Sequence, residues 1–305
     1  MTESVPSSTA VGRPPNRDLA LMAVAVLAVS TSGPLIAATA APALAIAFWR
    51  NAFGTLVIAP YAAARHLAEL RGMSRREWKL ALISGGLLSL HFATWVPSLT
   101  FTSVASSTAL VATQPVWAAL IARGLGHRVA ARAWLGMAIA FAGALVITGV
   151  DVTLSSRAVF GDLLSLVGGF FAAAYVTVGA QVRRTVSTTS YTLVCYGVCS
   201  GLLLAMCVVG RQQLVGFSAE TWLKLVLLTL GAQLLGHSLF NVVLKTVSPM
   251  LLSLLILFEM PGAAIIAALW LGQVPPLAVV PAAALVLIGV AVVMRAEPGT
   301  PLDQP

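Results

Sequence analysis

The chain has 305 residues, of which 59% are hydrophobic and only 9% charged. Soluble domains carry about 25% charged residues, so the length does not describe one or two ordinary soluble domains. The formal net charge of +8 would suit a nucleic-acid binder, but the basic residues are dispersed and form no basic domain, which excludes nucleic acid as a partner.

In chain order, residues 1–17 are rich in Ser, Thr and Pro and are read as a disordered cytoplasmic tail. The first apolar segment is long enough to stay as a span, so no cleavable signal peptide is expected. A helix needs about 20 mainly apolar residues to cross hydrocarbon. Ten segments answer to that: 18–38, 42–64, 79–99, 103–122, 131–150, 160–182, 188–210, 222–243, 248–270 and 276–294. They are apolar on nearly every face, which excludes the alternating strands of a barrel. Short linkers predict antiparallel neighbours, and residues 295–305 read as a second cytoplasmic tail. The expected fold class is an all-α integral membrane protein.

The second half repeats the first at an offset of 146 residues: His91 recurs as His237, Pro115 as Pro261, Gly126 as Gly272 and Gly143 as Gly289. Near the start of each half the offset slips to 144, pairing Asp18-Leu19 with Asp162-Leu163. Residues 18–150 and 160–294 thus form two repeats of five predicted spans. Five is odd, so the second copy enters the bilayer from the opposite side. Ten transmembrane helices as two inverted five-helix repeats are an architecture of secondary transporters, with a site near the midplane between the copies.

Charge supports the same topology. With the N-terminus in the cytoplasm, 14 of the 18 Lys and Arg fall in cytoplasmic segments, including Arg71, Arg75, Arg76, Arg128 and Arg184. The positive-inside rule then puts both termini in the cytoplasm of a cell (inner) membrane protein. The basic clusters also suit contact with anionic lipid headgroups. Cys195, Cys199 and Cys207 share one predicted helix; they suit small buried residues better than a disulfide framework or a metal site.

Ionisable groups at bilayer depth are costly, and each is a candidate functional residue. Glu259 lies 11 residues into its predicted helix, near the midplane for a rise of about 1.5 Å per residue. It is suited to binding a proton or a cationic group. Pro261 frees a backbone carbonyl there, and Pro115, directly after Gln114, makes the matching break in the other repeat. His91, Thr94, Trp95 and Ser98 share one helix face, as do Gln233, His237, Asn241 and Lys245. Both faces suit a path lining that holds a polar substrate or relays protons, or else plain helix-to-helix hydrogen bonding. Arg50 could clamp an anion through its fork or hold the carbonyls of a broken helix. Trp95 and Trp117 stand near the polar faces.

No phosphate loop, GxGxxG or HExxH pattern occurs, and no cofactor or metal is expected. An intramembrane enzyme acting on a lipid or polyprenyl substrate, with His91 and His237 as general bases, is the alternative.

Four stretches carry a family likeness: Ser103-Val104-Ala105-Ser106-Ser107 through Gln114-Pro115; Gly161-Asp162-Leu163-Leu164; His237-Ser238-Leu239-Phe240-Asn241; and Ser248-Pro249 through Leu271-Gly272. In their order, spacing and duplication the chain resembles the EamA-type members of the drug/metabolite transporter superfamily. The resemblance implies a ten-helix inner-membrane carrier that commonly exports metabolites, amino acids or drugs. It matches Arg50 to an Arg of the second helix and Glu259 to the acidic member of a Glu-Pro pair in the ninth. Here Met260 separates Glu259 from Pro261, and the family's Leu-Gly-Glu endings read Leu125-Gly126-His127 and Leu271-Gly272-Gln273. The expected activity is secondary export of a small molecule, with a proton or cation as possible coupling ion. Substrate and oligomeric state are not legible.

Overall fold

The computed structural model describes residues 16–126, 128–236, 239 and 257–296. Every regular element among them is helical. The chain forms α1 (Asn16–Ser30), α2 (Ser32–Ala38), α3 (Ala43–Arg65), α4 (Leu67–Gly72), α5 (Arg75–Ser98), α6 (Val104–Val111) and α7 (Gln114–Gly124). It continues with α8 (Ala131–Leu154), α9 (Ser156–Val182), α10 (Thr188–Val209) and α11 (Ala219–Leu227). A π-helical segment, Leu228–Gly236, extends α11, and α12 (Glu259–Leu271) and α13 (Val279–Ala296) close the order.

Seven helical stretches among the described residues are long and apolar enough to cross a membrane. Ala131–Ile147 and Glu259–Leu271 are shorter apolar helices. The predicted segment 222–243 is helical as far as Gly236. His237, Asn241, Lys245 and the Ser248-Pro249 stretch lie outside the described residues.

Serine starts the helices. Ser74, Ser103, Ser155, Ser187 and Ser218 each accept a hydrogen bond from the backbone N–H three residues on, and Ser74 completes a capping box with Glu77. Such caps satisfy donors that a helix start leaves free, worth about 1 kcal/mol each. Gly126 (φ 91°) and Gly272 (φ 67°), equivalent under the offset, both take the left-handed conformation just past a helix end.

Two predicted spans are broken. The first bends at Thr31, between α1 and α2, and the fourth breaks at Ala112–Thr113, between α6 and α7. Pro115 sits in the first turn of α7, where its missing N–H leaves no helical acceptor unpaired. Pro261 likewise sits in the first turn of α12, after a turn at 257–258. α12 therefore starts at Glu259, two residues before the proline.

Equivalent spans of the two halves pack face to face. α3 lies on α10, α8 on α13, and α6 on α12. α5 packs on α9, and in the corresponding place α1 packs on the π-helical segment. The α8–α13 contact is close because glycines face backbone: a Cβ on Gly289 would stand 2.4 Å from the Ala140 nitrogen, and one on Gly143 2.6 Å from the Ala282 carbonyl oxygen. Small residues let helix backbones approach where lipid tails supply no hydrophobic drive. Hydroxyls add interhelical bonds: Ser107 Oγ is 2.8 Å from Ser98 Oγ and 3.1 Å from Ser165 Oγ, joining α5, α6 and α9. Cys195, Cys199 and Cys207 are free and buried in α10.

Candidate functional site

The packing leaves a cavity of about 360 Å³ where the two halves meet. Its walls come from α1, α2, α3, α5, α6, α7, α9, the π-helical segment, α12 and α13. The α6–α7 break and the start of α12 both open onto it, through Gln114 and Pro115 on one side and Glu259 on the other.

Arg50, only 4% exposed, lines one wall. Its Nε donates to Gln233 Oε1 at 2.8 Å and its Nη1 to Ser32 Oγ at 3.3 Å. Its guanidinium carbon stands 4.6 Å from the centre of the Phe92 ring, a cation–π contact. Gly54, one turn further along α3, makes room for this arrangement: a Cβ there would stand 2.8 Å from Gln233 Nε2. A guanidinium carries five N–H groups, so the two protein bonds leave most of the fork's donors for other acceptors.

Glu259 lines the same cavity and is partly exposed to it. Among the described residues no salt bridge joins it to Arg50. The cavity thus holds an acidic and a basic side chain that have not neutralised each other by contact.

His91 donates from Nδ1 to the Gly168 carbonyl at 3.0 Å. A carbonyl only accepts, so Nδ1 bears the proton and Nε2 is left as an acceptor. The ring stacks on Trp95 (5.5 Å between centroids, 13° between planes) and stands 6.4 Å from Tyr175. Trp95, 6% exposed, also lines the cavity, and its indole N–H has no acceptor among the described residues.

Six residues expected at the site are therefore brought together: Arg50, His91, Trp95, Gln114, Pro115 and Glu259. Trp117 is not among the lining residues. Its indole donates to Thr113 Oγ1, and its ring packs edge-on to Phe141 and Phe170. Pro261 faces a different, apolar pocket. His237 and Asn241 lie outside the described residues. Ser32, Phe92 and Thr108 line the cavity unanticipated. Ser32 follows the Thr31 bend, but hydroxyl and aromatic residues are common in membrane helices, so nothing in their types marked them.

Comparison with known proteins gives the family of the chain. The EamA-like transporter family matches residues 18–149 and again 159–295. The chain belongs to that family. EamA-like membership means membrane transport of small solutes by a multi-pass protein that is not an enzyme, which displaces the lipid-enzyme alternative. A solved crystal structure resembles this EamA-like fold with a TM-score of 0.62 at 18% identity, covering 91% of this chain and 96% of that one. At that identity the likeness concerns the fold alone. No curated protein matches the chain.

Proposed function

We propose that this EamA-like protein is a secondary transporter that exports a small metabolite, amino acid or drug across the cell (inner) membrane. It has ten transmembrane helices in two inverted five-helix repeats, with both termini in the cytoplasm. Glu259 binds the coupling proton or a cationic group of the substrate. Arg50 holds an anionic or carbonyl group, and His91 and Gln114 line the path, joined by His237 and Asn241.

The observation that carries this reading is an acid and a base in one cavity between the halves that, among the described residues, form no salt bridge with each other. A buried ion pair made by the protein alone would serve structure. Charges kept apart at bilayer depth are costly unless a ligand or a proton completes them.

The arrangement also suits alternating access. In the proposed orientation the cavity reaches Met294, near the cytoplasmic end of α13. Hydrogen bonds tie the opposite end: Gln273 Oε1 accepts from the Val104 nitrogen at 3.2 Å, and Lys224 Nζ donates to the Ala38 carbonyl at 2.9 Å. These contacts suit a state closed toward the outside.

The test is transport in proteoliposomes under an imposed pH gradient, using amino-acid and amine mixtures read by mass spectrometry. Gradient-driven flux should be lost in Glu259→Gln while exchange of substrate for substrate persists. Gradient-driven flux unchanged in that variant would refute the coupling role.

A further inference from the structure

A second pocket of about 360 Å³ lies beside the first, between α12 and α13, with Ala105 of α6 at its edge. Among the described residues, no polar side chain lines it. It reaches the outer face of the bundle, where Ile265 is 58% and Val280 55% exposed. For a helical membrane protein that face meets lipid.

One residue belongs to both spaces. Met260 lines the polar cavity and the apolar pocket alike. The first turn of α12 explains this. Successive helical residues are about 100° apart, so Glu259, Met260 and Pro261 sweep about 200° of the helix. Glu259 faces the polar cavity, Pro261 the apolar pocket, and Met260 stands between them as the partition. It is also the residue that separates Glu259 from Pro261 in the sequence. An unbranched thioether with three rotatable bonds is suited to swing aside without leaving a fixed void.

We propose that Met260 is a movable partition between a headgroup site and a lateral tail site, and that the transported molecule is an amphiphile with a polar head and one alkyl arm. The head occupies the cavity of Arg50 and Glu259. The arm passes Met260 and lies in the apolar pocket between α12 and α13. This rests on the reading of Arg50 and Glu259 as substrate contacts and extends it from a small polar solute to a chain-bearing one. A purely polar solute would leave the second pocket to lipid and would give Met260 no role in selectivity.

The experiment uses the full chain in lipid nanodiscs, with n-alkylammonium ions and n-alkyl carboxylates from ethyl to decyl as probes and empty nanodiscs as the reference. Affinity for the preferred head should rise about fourfold per added methylene, the equivalent of about 0.8 kcal/mol, and then level off once the pocket is full. Met260→Trp should flatten this dependence. Ala284→Phe, which fills the pocket from α13 without touching the polar cavity, should do the same and guards against misfolding of the first variant. A wild-type chain that binds ethyl and decyl probes equally would overturn the tail site and leave the head reading standing. So would a chain-length slope that survives both filling variants. A slope that is lost in the filling variants but indifferent to Glu259→Gln and Arg50→Met would support the tail site and refute the head assignment. No binding of any probe would overturn both.

Discussion

The Nε of Arg50 donates to Oε1 of Gln233 at 2.8 Å, joining positions 183 residues apart, one from each half of the chain. This bond sets the direction of the only buried guanidinium among the described residues. Ser32 and Phe92 complete the cradle from α2 and α5. Arg50, so held, lines the cavity.

Gln233→Leu should cost about 1.5–3 kcal/mol of stability, the usual range for a hydrogen bond to a charged group. Gln233→Glu should instead stabilise Arg50 and suppress transport, because an internal carboxylate would occupy its donors. Thermal unfolding in detergent, beside flux in proteoliposomes, separates the two effects. Equal stability loss in both variants would contradict the cradle.

Close approach of α8 and α13 rests on glycine. In Gly289→Ala the new Cβ would meet backbone at 2.4 Å and 2.5 Å, so the helices must separate, at a cost of about 1–3 kcal/mol. Gly231→Ala is the control, since among the described residues nothing beyond its own helix turn comes within 4 Å of its Cβ position; it should change stability little. Gly126→Ala also meets nothing but has φ 91°, and the left-handed conformation should cost about 1–2 kcal/mol. Denaturation of the three variants in one detergent gives the ranking.

Gln273 stands where the related Leu-Gly-Glu endings carry an acid, and its amide oxygen accepts from the first residue of α6. Gln273→Ala should loosen the end of the bundle proposed to be closed. A cysteine at Leu99, buried near that end, should then react faster with a membrane-impermeant maleimide added from outside, by about tenfold for a bond worth about 1.4 kcal/mol. An unchanged rate would show that this contact does not hold the closed state.

Glu69, on the short α4 outside the spans, ties that helix to the start of α10. Its carboxylate accepts from the Ser187 backbone nitrogen at 2.6 Å and from the Ser190 hydroxyl, beside His66. Desolvation opposes ionisation here, but the bonds from Ser187 and Ser190 outweigh it and hold the pKa down to about 2. A depressed carboxylate pKa contributes stability above its unfolded value near 4.5, and loses it as pH falls through the window down to about 2. Glu69→Gln should therefore narrow the gap with wild type as pH drops from 5 toward 3, read as a thermal midpoint in an acid-stable detergent, over a span of roughly two pH units. Ser187→Ala should cost about 1 kcal/mol more, for the lost cap of α10.

Much of this was legible in the chain alone because hydrocarbon is a stringent solvent. It admits about 20 apolar residues per crossing and penalises every buried charge, so composition marked the spans, and Arg50 and Glu259 stood out. The 146-residue offset announced two like halves, and Gly126 and Gly272, which it pairs, take the same left-handed turn. Proline chemistry placed the break in the fourth span, and α12 begins at Glu259 ahead of Pro261, because proline is tolerated within a first helical turn. The rest was decided by tertiary contact. Trp117 lies near a polar face in sequence yet packs on Phe141 and Phe170. Ser32, Phe92 and Gln233 converge on Arg50 from three separate elements. Periodicity assigns a residue to a face of its own helix, but only the packing of helices against one another decides which faces enclose a common cavity.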